Sequence, residues 1–215
     1  MGIRTHKFLF FNLTLLHVKD ESLYTTTMKK LLPRSFYARD TVVVAKDLLG
    51  KMLVREYKGK KLIGIITETE AYRYDDPACH ACRGKTPRTE ALFGQVGHAY
   101  IYFSYGIHYC MNIVSRDPET TPAGGVLIRA IKPVAGIEIM EKNRSMQSLK
   151  HLTNGPGKVT QALAIDMNEY GMDVTKVGPL YVTQGIEINS KQIHVTERIG
   201  ISKAKELKWR FVLSI

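Results

Sequence analysis

Short runs of apolar and aromatic residues, separated by turns that contain glycine, dominate the first half of the chain and are typical of β-hairpins. In the first pair, KMLVREY (residues 51–57) and LIGIITETEAY (residues 62–72) flank the polar tetrapeptide KGKK. In the second, HAYIYF (residues 98–103) and IHYCMNIVS (residues 107–115) flank the tripeptide SYG (residues 104–106). The pattern therefore predicts two hairpins, the second with an aromatic residue at its tip.

The run TVVVAKDLL, residues 41–49, has the boundaries of a short helix. Asp40 precedes it and can accept hydrogen bonds from the first free amides of a helix. Gly50 follows it, at the position where a left-handed residue commonly ends a helix. A second helix is predicted over residues 134–144, with Pro133 helping to start it.

The second half of the chain continues the mixture of strands and helices. GVLIRAIKP, residues 125–133, predicts a largely buried strand, and NGPGKVTQALAI, residues 154–165, predicts a helix whose first free amides can meet a phosphate. Further strands are predicted at 179–183, 185–189 and 192–196. The sequence therefore predicts an α+β protein, a single mixed domain with a mostly antiparallel, curved β-sheet flanked by helices.

The N-terminal segment differs from the rest of the chain. Its apolar run FLFFNLTLLHV, residues 8–18, is too short to span a membrane and is not followed by a small-residue cleavage pattern. The sequence MKKLLPRSFYARD, which begins at Met28, has the character of a natural start. We therefore expect residues 1–27 to be an extension outside the core and residues 28–215 to form the domain.

The charge of the chain narrows the class of partner. Lysine and arginine number 31 against 20 aspartate and glutamate residues, which leaves a formal net charge of +11 and favours a polyanion such as nucleic acid or an anionic membrane surface. The three cysteines do not suggest a disulfide framework in a chain of 215 residues. A reducing compartment, the cytoplasm of a bacterium or a nucleus, is expected, and secretion is not.

Cys79 and Cys82 have the spacing of a zinc knuckle or a redox pair, and His80, His108 and Cys110 could complete four metal ligands. A zinc ribbon, however, normally supplies a second matching pair, and a redox pair lies at the start of a helix. The surrounding residues suggest a loop instead. A zinc or redox protein is therefore an alternative interpretation, and small, partly buried thiols are the simpler one.

Glu68 and Glu70 end an apolar strand and leave it on one face, which Tyr72 continues. Paired glutamates usually lie on a solvated face. Because the preceding LIGIIT is apolar on both faces, this strand is predicted to lie inside the protein, where a carboxylate at its end can serve as a general base. The spacing alone does not say which of the two glutamates would do so.

The second hairpin contains Tyr100, Tyr102, Tyr105 and Tyr109. Strand tyrosines usually pack in a core or across strands, and Tyr100 and Tyr109 are interpreted in that way. Tyr105 lies at the turn, where its ring gains a protruding flat surface. On a basic protein such a ring can act as a wedge between bases, while other aromatic residues stack on a base removed from the helix.

Four of these motifs, ETEAY, YIYFSYGIHYCMNIV, GVLIRAIKP and NGPGKVTQALAI, resemble in their order and spacing the 3-methyladenine (alkyladenine) DNA glycosylase family. The resemblance runs from about residue 32 almost to the C-terminus. It implies a base-excision repair enzyme that flips a damaged purine, alkylated or deaminated, out of double-stranded DNA and hydrolyses its N-glycosidic bond. It also implies that neither a metal nor an organic cofactor takes part.

The resemblance assigns roles at matching positions. Glu70 matches the general base that deprotonates the attacking water, and Arg129 matches a polar partner of that water and a nearby phosphate. Tyr72 and His80 match groups that face the flipped base, and Tyr102 matches the opposing aromatic wall. A carboxylate suits this reaction because it can both activate the water and stabilise the positive charge of an oxocarbenium-like sugar.

Further roles concern the DNA itself. Tyr105 matches the side chain that enters the minor groove and fills the gap left by the flipped base. Filling the gap offsets part of the cost of flipping, which is on the order of a few kcal/mol. Asn112 matches a residue that borders the pocket and screens unmodified purines. Gly155, Gly157 and Lys158 match a loop that contacts the DNA backbone.

The sequence also departs from the family pattern. The interval from Tyr72 to His80 is one residue shorter than in the family pattern. His108 follows the tip of the second hairpin and is interpreted as a contact of the DNA backbone. The cysteine pair is not part of the pattern. No lysine occupies the position of a Schiff-base nucleophile, so a monofunctional glycosylase is expected, acting as a monomer. The alternative in another class is a non-catalytic nucleic-acid-binding domain.

Overall fold

A computed structural model of the protein describes residues 30–215. The predictions for residues 1–27, including the apolar run at 8–18, therefore lie outside the described residues. None of the helices that residues 30–215 form is long and apolar enough to cross a membrane.

One antiparallel sheet of eight strands organises the described chain, as predicted. The strands are β1 (Met52–Tyr57), β2 (Lys60–Arg73), β3 (Ala99–Ser104), β4 (His108–Val114), β5 (Gly124–Ala135), β6 (Leu180–Thr183), β7 (Ile193–Thr196) and β8 (Arg210–Leu213). Six of them follow the order β3-β4-β5-β2-β1-β6, and β8 pairs with both β2 and β7. Strand β2 therefore has three neighbours, because β8 joins it at Glu68–Glu70.

Both predicted hairpins are confirmed. Strands β1 and β2 pair from Met52↔Ile65 to Tyr57↔Lys60, so Lys58 and Gly59 alone form the turn. Both residues have positive φ, 50° and 72°, which is the turn geometry that matches the twist of the flanking strands. Strands β3 and β4 pair from Ala99↔Ile113 to Ser104↔His108, and the tip between them comprises residues 105–107.

Within residues 30–215, five α-helices cover the sheet: α1 (Arg34–Tyr37), α2 (Thr41–Asp47), α3 (Ile137–Arg144), α4 (Leu149–Leu152) and α5 (Pro156–Ala162). The predicted cap of α2 is confirmed, since a side-chain oxygen of Asp40 accepts hydrogen bonds from the amides of Val42 at 2.9 Å and Val43 at 3.2 Å. Val44, Leu48 and Val159 are fully buried in the main core between these helices and the sheet.

Several predicted boundaries are wrong. The helix predicted over 134–144 begins at Ile137. Pro133 lies within β5, where it pairs with Gly64. Gly136, with φ of 71°, then separates the strand from the helix. The strand predicted at 185–189 does not form; the backbone there donates to Gly50 through Ile186 N at 2.9 Å and then turns away. Strand β8 was not predicted, because its four residues carry no turn signal that would separate them from the lysine-rich segment before them.

Candidate active site

A cavity of about 760 Å³ opens beside the β3–β4 hairpin. Two further segments complete its walls, one at residues 77–88 and one at residues 199–203. Six predicted site residues line it: Tyr72, His80, Tyr102, Tyr105, Asn112 and Arg129. The sheet therefore brings together residues that lie 57 positions apart in sequence, from 72 to 129.

The register of the sheet explains this convergence. Tyr100 pairs with Asn112, Asn112 with Leu127, Leu127 with Glu70, and Glu70 with Arg210. Directly paired residues of antiparallel strands project from the same face, so this row across five strands carries one continuous surface. The cavity lies over that surface.

Glu70 has no exposed surface and does not itself line the cavity. Its three hydrogen-bond donors do: Tyr72 Oη donates to Oε2 at 2.8 Å, Arg129 Nη1 to Oε2 at 3.2 Å, and the backbone N–H of Ile199 to Oε1 at 2.8 Å. Since an ionised carboxylate only accepts, three donors around two oxygens suit its charged form. A buried charge is tolerated only when it is paired in this way.

A β-bulge aims Arg129 at the two glutamates. Strand β2 advances by one residue from Glu68 to Thr69 while its partner β5 advances by two, from Ala130 to Ile128, so Arg129 is the extra residue. Its Nε donates to Glu68 Oε1 at 2.7 Å, while its Nη1 reaches Glu70. Burial opposes the charge of the guanidinium, but the carboxylates of Glu70 and Glu68 raise the pKa of Arg129.

The environments of the two glutamates differ. Glu68 Oε1 accepts from Arg129 and also from Arg210 Nε at 2.6 Å. Glu70 accepts from a tyrosine hydroxyl and a backbone amide in addition to Arg129. The three donors to Glu70 all line the cavity, whereas Arg210, a donor to Glu68, does not, a distinction that spacing alone could not make.

Aromatic rings form one wall of the cavity. His80 stands edge-on to Tyr102, with ring centroids 4.6 Å apart, and its Nδ1 lies 2.9 Å from the hydroxyl of Tyr100. Burial, with a contribution from the positive charge of Arg88, lowers the pKa of His80, so the imidazole is neutral at neutral pH. Burial raises the pKa of Tyr102, which therefore keeps its proton.

Two details of this wall differ from the sequence analysis. Residues 77–83 are not a plain loop, because His80–Arg83 form a 3-10 helix. Tyr100 is buried, as predicted for a packing residue, but it also lines the cavity and contacts His80. Burial raises the pKa of Tyr100 to about 12, so its hydroxyl remains a hydrogen-bonding group. Its role could have been predicted from its pairing with Asn112 had the register been known.

Asn112 lies 5% exposed on β4, and its Nδ2 donates to Tyr100 O at 3.3 Å. The amide therefore has a fixed position in the cavity wall. Among residues 30–215 its side-chain oxygen has no hydrogen-bond donor, so it remains available to a ligand.

The hairpin tip projects from the protein. Tyr105 is 80% exposed, adopts φ of 51°, and donates a long hydrogen bond of 3.4 Å to Gly200 O. Ile107 beside it is 76% exposed, and sequence analysis did not identify it. An aromatic and an aliphatic side chain at one tip form an apolar protrusion at the rim of the cavity.

The predicted DNA-backbone loop leads into α5. Lys158 Nζ donates to Asn154 Oδ1 at 2.7 Å, and Gly155 precedes the first helical residue. Gly157 lies against the ring of His108, where an added Cβ would come within 2.3 Å of His108 Cδ2. Pro156 and His108 both line the cavity, so the loop borders the site next to the hairpin.

The cysteines lie beside the cavity without metal-site geometry. Burial raises the pKa of Cys79 to about 12, and its Sγ lies 3.7 Å from Tyr72 O. A redox cysteine requires a lowered pKa, so this environment does not suit thiol chemistry. Over residues 30–215, no group of three or more His, Cys, Asp or Glu side chains is placed to hold a metal ion.

Comparisons with known proteins identify relatives of this chain. The model of the family described as methylpurine-DNA glycosylase matches residues 35–214. A protein of Carboxydothermus hydrogenoformans, provisionally named a 3-methyladenine DNA glycosylase, is 54% identical over 183 residues, which cover 85% of this chain and 95% of that protein. A protein of Clostridium acetobutylicum with the same provisional name is 47% identical over 195 residues, covering 85% of this chain and 93% of its own.

Proposed function

The chain belongs to the methylpurine-DNA glycosylase family and is a DNA glycosylase, and from this premise we propose how it works. It turns a damaged purine nucleotide out of duplex DNA into the cavity and hydrolyses the N-glycosidic bond with a water that Glu70 activates. The observation that carries the proposal is the burial of Glu70 behind an aromatic cavity, with every hydrogen-bond donor to it belonging to a cavity-lining residue.

The cavity suits a base. Its volume of about 760 Å³ accommodates a purine with part of its sugar, and its rings can stack on either face of that base. Tyr72 and Tyr102 provide π-faces, which also attract a positively charged alkylated purine. His80, held neutral by burial, and Asn112 provide the polar groups that face the edge of the base.

Glu70 is the one general base that the hydrolysis requires. One proton of the water passes to the carboxylate, the water oxygen forms a bond to C1′ of the sugar, and the bond between C1′ and the purine nitrogen breaks. The bonding electrons leave with the purine. Arg129 donates to the carboxylate and so orients it, and we assign to Arg129 a contact with the water and the adjacent phosphate.

Binding of the substrate must also open a path by which the water reaches Glu70. Tyr72 and Arg129 separate the carboxylate from the cavity. Insertion of the nucleotide therefore has to be accompanied by a shift of one of these side chains. The carboxylate of Glu70 is then exposed to water only when a nucleotide occupies the site.

The hairpin tip and the basic surface act on the DNA. Tyr105 enters the minor groove and fills the gap left by the flipped nucleotide, with exposed Ile107 beside it. Gly155, Gly157 and Lys158 contact the DNA backbone, and the net charge of +11 supports the attraction to phosphate. We assign these functions to a monomeric domain of residues 28–215, which needs no metal or organic cofactor.

A duplex that carries one hypoxanthine or one alkylated adenine tests this function. After incubation with the protein and heating in alkali, the strand breaks at the abasic site. Glu70→Gln should abolish the break and retain duplex binding, because the charge of the surface and the tip remain. Glu138→Gln, at an exposed position of α3, is the matched control and should cleave normally.

Two results would contradict the proposal. An intact strand with the wild-type protein would favour the non-catalytic nucleic-acid-binding domain. A Glu70→Gln protein with wild-type activity would exclude Glu70 as the base. Thermal melting of each variant establishes that the compared proteins are folded.

A further inference from the structure

A second charged group is buried next to the site and takes no direct part in the proposed reaction. Arg198 and Asp76 form an ion pair in which neither side chain has exposed surface. Arg198 Nη2 donates to Asp76 Oδ1 at 3.0 Å, and Nη1 donates to the other carboxylate oxygen and to Ala71 O at 2.9 Å. The guanidinium is therefore fixed in a bidentate arrangement.

Arg198 lies between two aromatic rings. Its Cζ is 4.8 Å from the ring centroid of Tyr72 and 5.4 Å from that of Trp209. Burial opposes its charge, but the hydrogen bonds and charge of Asp76, with smaller contributions from Tyr72 and Glu70, raise the pKa of Arg198. A permanent positive charge therefore lies against the ring whose hydroxyl donates to Glu70.

Two short connections lead from Arg198 to Glu70. One passes through the Tyr72 ring to its hydroxyl, which donates to Oε2 at 2.8 Å. The other passes along the backbone to the next residue, Ile199, whose N–H donates to Oε1 at 2.8 Å. Arg198 thus constrains one donor to each oxygen of the carboxylate.

Asp76 extends this constraint to the base-binding wall. Its Oδ1 also accepts from Ala78 N at 2.9 Å, and its carbonyl accepts from Cys79 N at 2.9 Å. These bonds shape the segment that leads directly to His80. One ion pair therefore connects the carboxylate with the wall that faces the purine.

We propose that Arg198, anchored by Asp76, is a positioning residue for base excision: it holds Glu70 in its productive orientation through Tyr72 and Ile199. The inference rests on the proposed function of Glu70 as the base. A buried ion pair by itself contributes little stability relative to apolar side chains of the same volume. Its orienting effect on two donors of the same carboxylate is what apolar side chains would not reproduce.

The test compares Arg198→Met, Arg198→Lys and Asp76→Asn with the wild-type protein under single-turnover conditions, with enzyme in excess over a hypoxanthine duplex. Excision by Arg198→Met should slow about 100-fold, the size of effect expected from misplacing a catalytic group by about 1 Å. The dissociation constant of the duplex should change by less than about threefold, because the side chain of Arg198 is buried, does not line the cavity and so is not placed to contact DNA. Arg198→Lys keeps the charge but loses the bidentate geometry, so it should recover part of the rate.

Arg55→Met is the matched control. Arg55 belongs to another buried ion pair, with Glu169 at 2.6 Å, and likewise donates to backbone carbonyls, but it contacts neither Tyr72 nor Glu70. It should lower the melting temperature as Arg198→Met does, yet leave the excision rate of the folded protein unchanged. Trp209 is the single tryptophan, so its fluorescence reports directly whether the environment of Arg198 is intact.

A double-mutant cycle with Tyr72→Phe separates positioning from a general loss of structure. Tyr72→Phe keeps the ring and removes the hydroxyl that donates to Glu70. If Arg198 acts through that hydroxyl, the combined loss of rate is smaller than the product of the single losses. Fully multiplicative effects, or a rate loss in Arg198→Met matched by Arg55→Met, would overturn the inference.

The remaining outcomes are also decisive. If Arg198→Met does not fold, Arg198→Lys and Asp76→Asn decide by the same rate and binding measurements, and wild-type rates in both would refute the inference. If the wild-type protein excises no base, the proposed function fails and the positioning role fails with it. If the wild-type protein is active and Arg198→Lys and Arg198→Met match it, only the positioning role fails.

Discussion

The ring of His108 occupies the space that a side chain on Gly157 would need: a Cβ at position 157 would lie 2.3 Å from His108 Cδ2 and 2.5 Å from Cγ. The two residues belong to different elements, since His108 begins β4 and Gly157 lies in the first turn of α5. The proposed wedge hairpin and the proposed DNA-backbone loop are therefore in direct contact.

Gly157→Ala should force these two elements apart. Overpacking of this kind costs about 1–3 kcal/mol in free energy of unfolding, which denaturant titration measures. Duplex binding should weaken as well. Adding His108→Ala should restore the stability, because it removes the ring that the new methyl group meets; a double variant as unstable as Gly157→Ala would show that another contact is responsible.

Tyr105→Ala should affect function without affecting stability. The side chain is 80% exposed, so its removal should change the free energy of unfolding by less than about 0.5 kcal/mol. Excision should slow about 10- to 100-fold, since the gap left by the flipped nucleotide is no longer filled. A fluorescent base analogue next to the lesion reports flipping directly. Val177→Ala, 71% exposed, is the control and should be neutral.

The low pKa of His80 predicts a defined pH dependence. Because burial and Arg88 lower the pKa of His80 in the folded protein below its ordinary value of about 6.5, the unfolded chain binds the proton more tightly. The associated stability is present above about pH 6.5 and decreases as the pH falls below it. Arg88→Met should raise the pKa of His80, measured by NMR titration of its ring protons. An unchanged titration would assign the shift to burial alone.

Lys203 tests both phosphate contact and the monofunctional mechanism. It is exposed and lines the cavity, although sequence analysis expected no lysine in the position of a nucleophile. If it neutralises one phosphate, Lys203→Ala should lower the slope of log K against log salt by about 0.9.

Borohydride should trap no covalent complex between the wild-type protein and the abasic duplex. A trapped complex that Lys203→Ala abolishes would instead identify Lys203 as a nucleophile.

The sequence predicted those parts of the fold that local chemistry determines. The Lys58-Gly59 turn, the Asp40 cap and the two hairpins depend on neighbouring residues, and all are present. The boundary at Pro133 was wrong because tertiary pairing with β2 extends β5 beyond the proline. Strand β8 was missed because a four-residue strand is stabilised by its two partners and not by its own pattern.

The candidate site shows the same division. Its predicted aromatic residues converge on one cavity, and the family motifs explain why they could be chosen from sequence. Tyr100 was assigned to packing alone, and Ile199 and Arg198 were not identified, since their relation to Glu70 depends on the chain folding back over more than a hundred residues. The bulge at Arg129, which directs its guanidinium to both glutamates, likewise appears only in the register of the sheet.

The position of β8 makes the order of synthesis relevant to activity. Glu70 pairs with Arg210, and its Oε1 accepts a hydrogen bond from Ile199, so the surroundings of the carboxylate are completed by a segment that the ribosome synthesises 129 or more residues later. A nascent chain halted before position 199 lacks that donor and leaves β2 uncovered along Glu68–Glu70. Premature termination of translation should therefore yield an inactive fragment, and not a glycosylase that attacks DNA without control.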